Sequence, residues 1–231
     1  MKKPTIAFTV FQNDMVILNL WIKYYKKQFD KLFVMCSQTR EEYKKILDKF
    51  KGKYNIDYAS FDSGVGHPQR AIELINDIQH EFLNDHEWVL FSNCDEFVIT
   101  NHNYYHSLKE AMNKITKDTV YCEGYNVYQS TEAKHVEGPI DFSKPYLQQR
   151  KYWIRDIHYN KPLLTRTPID WAEGCHSIGY NTNESVEARN TGLYLLHLKY
   201  SDLEPAPGRD FGPWINNLNY CGCWQTFHKE L

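Results

Sequence analysis

The chain has 231 residues, 42% hydrophobic and 24% charged, with 27 basic against 29 acidic side chains and a formal net charge of -2. That balance fits one packed, soluble domain and excludes intrinsic disorder and fibrous repeats. Lysines and arginines are scattered, which leaves no electrostatic footprint for duplex nucleic acid or an anionic membrane surface.

Residues 5–11 are an apolar run that predicts a first, buried strand. Gln12, Asn13 and Asp14 cut it far short of a signal-peptide core, and no later stretch reaches the roughly 18 apolar residues of a membrane span. Asp14 can cap a helix in which Ile17, Leu20, Trp21 and Tyr24 recur at helical spacing. A second strand over 31–37, a helix over 40–50 and a third strand over 55–60 follow. After the glycine-marked turn around Gly64 and Gly66 comes a long helix over 68–83, with Ala71, Ile72, Ile75, Ile78 and Phe82 along one stripe. Residues 88–91 form a fourth short strand. Strands alternating with helices build right-handed βαβ units, so the expected fold is α/β, with a mostly parallel central sheet flanked by helices.

Past residue 100 a helix over 103–115 and a strand over 119–128 are expected. Prolines 139, 145, 162 and 168 then punctuate strand-like pieces at 146–154 and 163–167, before a final apolar run at 193–200. This half reads as mixed, with antiparallel pieces and long loops. No linker or repeat divides the chain, so one domain with two halves is expected. The six cysteines are spread without a zinc-ligand spacing, which fits free thiols in a reducing, cytoplasmic setting.

Four groups of residues carry chemical potential. In the first, the apolar 88–91 run delivers Asn93, Asp95 and Glu96 to a strand end. Hard oxygen ligands there suit Mg²⁺ or Mn²⁺ bridging a diphosphate, or the acids simply cap the next loop. In the second, Gly64 and Gly66 permit close backbone approach, and Arg70 lies in the first turns of the following helix. An arginine is poorly placed there for the helix dipole but can reach a phosphate; the alternative is a solvated side chain. The third, Asp170, Trp171, Glu173 and His176, puts general-base candidates beside an aromatic ring, or else forms a surface turn. The fourth is His197, alone in an apolar run and either a core residue or a ligand. Signatures for dinucleotide binding, Walker-type nucleotide binding, α/β-hydrolases and zincins are missing from the sequence.

Taken in order, Phe8 to Asp14 opening a helix, Gln69-Arg70-Ala71 in a mid-chain helix, Asn93-Cys94-Asp95-Glu96-Phe97 after a strand, and Leu196-His197-Leu198-Lys199-Tyr200-Ser201 near the end resemble a glycosyltransferase, of the small family 2-like group with a D-x-D-E-F element. The resemblance covers nearly the whole chain. It implies a GT-A-like fold, with a nucleotide-sugar-binding half over about 1–100 and an acceptor-binding, catalytic half over about 101–231. It also implies a metal-dependent enzyme that moves a sugar, with inversion, from a nucleotide-sugar donor, UDP-linked by preference, to a glycan, glycoprotein or other hydroxyl acceptor.

By position the resemblance makes Thr9, Phe11, Asn13, Arg70 and Asn93 donor-binding, Asp95 and His197 ligands of Mn²⁺ or Mg²⁺, and Asp170 or Glu173 the catalytic base. Trp171 and His176 would bind the acceptor, and Tyr152, Trp153 and Trp214 would extend that floor. The chain departs from the pattern in having Asn93 for the first aspartate, Ser37-Gln38 after the second strand, and Asn13-Asp14 for an Asn-Glu pair. Two other readings stand beside this one, a nucleotidyltransferase on a related fold and a non-catalytic glycan-binding module.

Overall fold

The computed structural model describes residues 2–11, 15–36, 41–60, 68–130, 137–138, 140–141, 144–179 and 191–200. In the first half, β1 (Thr5–Phe11), β2 (Lys31–Cys36), β3 (Ile56–Ser60) and β4 (Trp88–Phe91) alternate with α1 (Met15–Tyr25), α2 (Glu41–Lys53) and α3 (Pro68–Asp85). β1 pairs with β2 and β4, and β2 with β3, all parallel. From β1 the chain first builds outward to β3 and then returns to lay β4 on the other side. The strand order therefore reverses at the carboxyl ends of β1 and β4, where ligands of open α/β sheets sit.

The second half adds β5 (Glu96–Thr100), α4 (Leu108–Lys114), β6 (Thr119–Tyr128), the helical turn α5 (Tyr146–Gln149), β7 (Tyr152–Arg155), β8 (Lys161–Thr165) and β9 (Leu193–Tyr200). The nine-stranded sheet runs β3-β2-β1-β4-β8-β6-β9-β5, with β7 on β6. Beyond β4 the pairs are antiparallel, apart from β6 with β9.

Both faces are covered. On one, Ala7 and Phe11 of β1 pack with Leu18 and Trp21 of α1 and Leu47 of α2. On the other, Ile6 and Phe8 pack with Ile72 and Ile75 of α3 and with Trp171. The odd–even division along β1 is the two-residue period of a strand buried on both sides. The sheet curls until its last strand reaches α1: Tyr24 Oη donates to the Val98 carbonyl at 2.7 Å, and the Val98 N–H donates to Tyr25 Oη at 2.7 Å. Two tyrosine hydroxyls thus satisfy edge groups that would otherwise be open to pairing.

Three elements differ from the sequence expectation. α4 starts at Leu108, not near 103, because Ser107 caps it by accepting from the Glu110 N–H at 3.1 Å. Residues just before it turn around the side chain and carbonyl of Asn101. The strand expected over 146–154 is a helical turn followed by β7. Gln149 bonds both the N–H and the carbonyl of Asp141, pinning that turn. β5 was not anticipated at all, since Asp95 and Glu96 interrupt the apolar pattern.

Among the described residues no helix is long and apolar enough to cross a membrane. Cys36, Cys94, Cys122 and Cys175 are free thiols. Burial pushes the Cys175 thiol up to about 12, which suits a packing role over reactivity. Cys221 and Cys223 lie outside the described residues.

Candidate active site

The tight turn between β4 and β5 puts Asp95 one residue ahead of β5. The Glu96 N–H donates to the Asn93 carbonyl at 2.9 Å, and the Asn93 N–H donates to Glu96 Oε2 at 3.1 Å, so Glu96 closes the turn from both ends. The other oxygen, Oε1, accepts from Lys161 Nζ at 2.6 Å, with the two side chains only 1% and 2% exposed. A buried carboxylate is tolerable only when paired and hydrogen-bonded in this way. Glu96 is therefore an internal anchor, and Asp95 is the acid that faces outward.

Opposite Asp95, β9 contributes His197. Antiparallel register sets His197 against Glu96 of β5, and parallel register sets it against Asn126 of β6. The Leu198 N–H donates to the Asp95 carbonyl at 2.9 Å, which ties β9 to the turn. His197 Nε2 and Asp95 Oδ2 stand 3.5 Å apart. Tyr159, from the 3₁₀ turn Ile157–Tyr159, lies nearly parallel to the His197 ring, with centroids 4.2 Å and planes 24° apart.

His176 meets the edge of the same tyrosine at a centroid distance of 5.7 Å. It follows the 3₁₀ turn Glu173–Cys175, where Gly174 has φ 74 and a Cβ would come within 2.6 Å of His176 Cδ2. Burial, helped by the nearby Lys161 charge, holds His176 below the ordinary histidine range. Asp95, His197 and His176, far apart in sequence, thus converge around Tyr159 and Lys161.

Several of the other expected residues fall elsewhere. Asp170 is 76% exposed at the outer side of α3, where His80 Nε2 lies 3.4 Å from its Oδ1. Its loop is fastened by the helix: Asn76 bonds both the N–H and carbonyl of Trp171, Gln79 bonds the Thr167 carbonyl, and His80 bonds that of Ile169. Trp171 corrects the expectation of an open sugar platform. It is 2% exposed, its ring packs against Phe8 and Phe91, and its Nε1 donates to the Pro162 carbonyl at 2.8 Å. Phe11 is likewise a core ring, edge-on to Tyr43, and Thr9 beside it is fully buried, so neither presents an open wall to a nucleoside.

Arg70 is exposed in the first turn of α3, and Asn93 is half-buried in the β4–β5 turn. Tyr152 and Trp153 are half-buried on β7. Glu173 opens its 3₁₀ turn, and its side chain is not among those described; Asn13, Ser37, Gln38, Gly64, Gly66 and Trp214 lie outside the described residues.

Sequence reasoning missed Lys161, Tyr159, Asn126 and Asp156 as parts of the site. Two signals were available: a lone lysine opening the apolar stretch Lys161–Thr165, and an asparagine inside the otherwise apolar end of β6.

As a cation site the cluster is partial. One carboxylate and one imidazole face each other, and no group of three or more His, Cys, Asp or Glu is gathered to hold a metal among the described residues. Such a pair fits Mn²⁺ or Mg²⁺ only when diphosphate oxygens and water supply the remaining ligands, a habit of Mg²⁺ in particular.

The family model for glycosyltransferase family 92 matches residues 6–217. Comparison with curated proteins finds no match. Among solved structures, S. aureus TarS 1-349 is similar at 13% identity and a TM-score of 0.46, over 86% of this chain and 61% of that one. TarS 1-349 has also been solved in complex with UDP-GlcNAc. GalNAc-T7, solved with UDP, GalNAc and Mn²⁺, is similar at 11% identity and a TM-score of 0.49, over 94% of this chain and 46% of that one. 4-Diphosphocytidyl-2C-methyl-D-erythritol synthase is similar at 13% identity and a TM-score of 0.39, over 71% of this chain and 76% of that one. The chain thus spans about three fifths of TarS 1-349 and under half of GalNAc-T7.

Proposed function

The chain belongs to glycosyltransferase family 92, where its motifs had resembled the family 2-like group, and we propose that it transfers a sugar from a nucleotide-sugar donor to a hydroxyl acceptor. The donor is UDP-linked, the acceptor a glycan or glycoprotein, the outcome inversion, and the setting cytoplasmic. The observation that carries this reading beyond the family match is the 3.5 Å approach of Asp95 to His197 at the carboxyl end of β4. That end of a parallel sheet is where ligands of open α/β folds bind.

Mn²⁺ or Mg²⁺ held by Asp95 and His197 would offset negative charge growing on the leaving diphosphate. Arg70, exposed at the start of α3, would add a cationic contact to the donor diphosphate. The acceptor oxygen attacks the anomeric carbon as the bond to the diphosphate oxygen breaks, and a carboxylate takes the hydroxyl proton. That base belongs to the loop carrying Asp170 and Glu173. Asp170 is engaged by His80, whereas Glu173 begins the turn that His176 follows. His176, held neutral by its surroundings, suits a hydrogen bond to the acceptor.

The test is a panel of UDP-, GDP- and dTDP-sugars with Mn²⁺, reading nucleotide binding and nucleoside diphosphate release. One donor should be hydrolysed or transferred, and Asp95→Ala should lower that rate on the order of 100-fold or more. If no nucleotide binds and no donor is consumed, the reading is wrong. Full metal-dependent activity in Asp95→Ala would remove the metal assignment alone.

A further inference from the structure

We infer that Asp156 and Asn126 are positioning residues that hold the His197 proton on Nδ1, so that the Nε2 lone pair is presented toward Asp95. Asp156 caps the 3₁₀ turn Ile157–Tyr159, its Oδ1 accepting from the His158 N–H at 3.0 Å. Its Oδ2 accepts from Asn126 Nδ2 at 2.8 Å. The Asn126 Oδ1 lies 2.8 Å from His197 Nδ1.

The direction of this relay follows from donor and acceptor chemistry. An ionised carboxylate can only accept, so Asn126 must turn its NH₂ toward Asp156. The carbonyl end of the amide is then left facing His197 and can only accept, so Nδ1 must be the nitrogen that donates. In a neutral imidazole the other nitrogen, Nε2, then carries the lone pair, and it is Nε2 that stands 3.5 Å from Asp95 Oδ2.

The scaffold keeps the parts in place. Asn126 and His197 are direct partners in the β6–β9 register, and Asn126 is 3% exposed, so its amide takes its hydrogen-bond partners from protein groups rather than from bulk water. The Asp156 N–H donates to the Gly124 carbonyl at 2.9 Å, two residues before Asn126 on β6. Tyr159, three residues after Asp156, covers the His197 ring. One short segment therefore both fixes the amide and restrains the imidazole.

The metal consequence rests on the reading under Proposed function, while the tautomer itself does not. The test uses the full chain with ¹⁵N-labelled histidine, metal-free, and reads the His197 tautomer from two-bond ¹H–¹⁵N correlations. A separate measurement follows Mn²⁺ affinity in the presence of UDP by water-proton relaxation. In the wild type the proton should be on Nδ1. Asp156→Asn removes the carboxylate that orients the amide, so the population should move toward Nε2–H and Mn²⁺ should bind roughly tenfold more weakly or worse. The exchange Asp156→Asn with Asn126→Asp should restore both readouts. The carboxylate introduced at position 126 accepts from Nδ1–H, and the amide introduced at position 156 donates to it.

A wild-type His197 protonated on Nε2 overturns the inference, and this spectrum decides alone if Asp156→Asn does not fold. An unchanged tautomer and affinity in a folded Asp156→Asn overturns it as well. If the tautomer behaves as expected but Mn²⁺ binds none of the proteins, the relay stands and the metal reading falls.

Discussion

Lys161 reaches Glu96 across 65 positions of sequence and bonds it at 2.6 Å in a site closed to water. The pair joins the start of β8 to the turn that carries Asp95. Lys161→Met should leave a buried carboxylate uncompensated and cost about 3–5 kcal/mol of stability. Adding Glu96→Leu should return part of that loss, because a well-packed apolar pair is often as stable as a buried ionic one, although the Asn93 N–H then loses its acceptor. Chemical denaturation of the single and double variants checks this. Equal losses in both would mean that packing, not charge, dominates the site.

Gly124 is required by the approach of Tyr159. A Cβ there would overlap the backbone carbonyl of Tyr159 and lie 2.5 Å from its Cβ, and a backbone obstacle cannot swing aside as a flexible side chain can. Gly124→Ala should cost about 1–3 kcal/mol of overpacking, or very roughly 2–12 °C in melting temperature for a chain of this size. It should also displace Tyr159 from His197, so donor turnover should fall by more than the stability loss accounts for. A variant that melts and turns over like the wild type would show that the segment carrying Tyr159 can yield.

His176 gives the protein a calculable response to acid. Burial disfavours its charged form in the folded chain, so the unfolded chain takes up the proton at a higher pH than the folded chain does. The contribution is fully present above the unfolded value, near 6.5, and is lost as pH falls from there through the lower folded value. His176→Gln should remove that component. The wild type should thus lose more melting temperature than the variant between about pH 7 and about pH 5. Parallel curves would mean that His176 titrates normally in the folded protein.

Local signals carried most of the fold. β1, β4, β6 and β9 were legible because unbroken or regularly patterned apolar runs specify a buried strand without outside help. β5 was hidden because its first residue is a glutamate whose neutralising partner is far away in sequence. Asp95 and His197 were each visible as unusual residues at a strand end and inside an apolar run. Their meeting depends on the β5–β9 register, which no local pattern encodes. The same holds for Asn126, whose partners lie on β7's flank and on β9.

Trp171 shows how a loop aromatic can mislead, since an indole between two acids reads as a sugar platform until its contacts are known. Asn76 bonds its backbone on both sides, and its ring fills the space between Phe8 and Phe91 beneath α3. Trp171→Ala should therefore act as a core truncation, costing about 3–5 kcal/mol. Trp171→Phe should cost less, although it leaves the Pro162 carbonyl without its indole donor. In neither folded variant should the acceptor KM rise independently of stability, because the ring has no face to offer a sugar. Titrating acceptor against Trp171→Phe at a temperature where both proteins are folded separates the alternatives. A KM raised tenfold or more with an unchanged melting temperature would return Trp171 to the binding surface, whereas a lowered melting temperature with unchanged KM keeps it in the core.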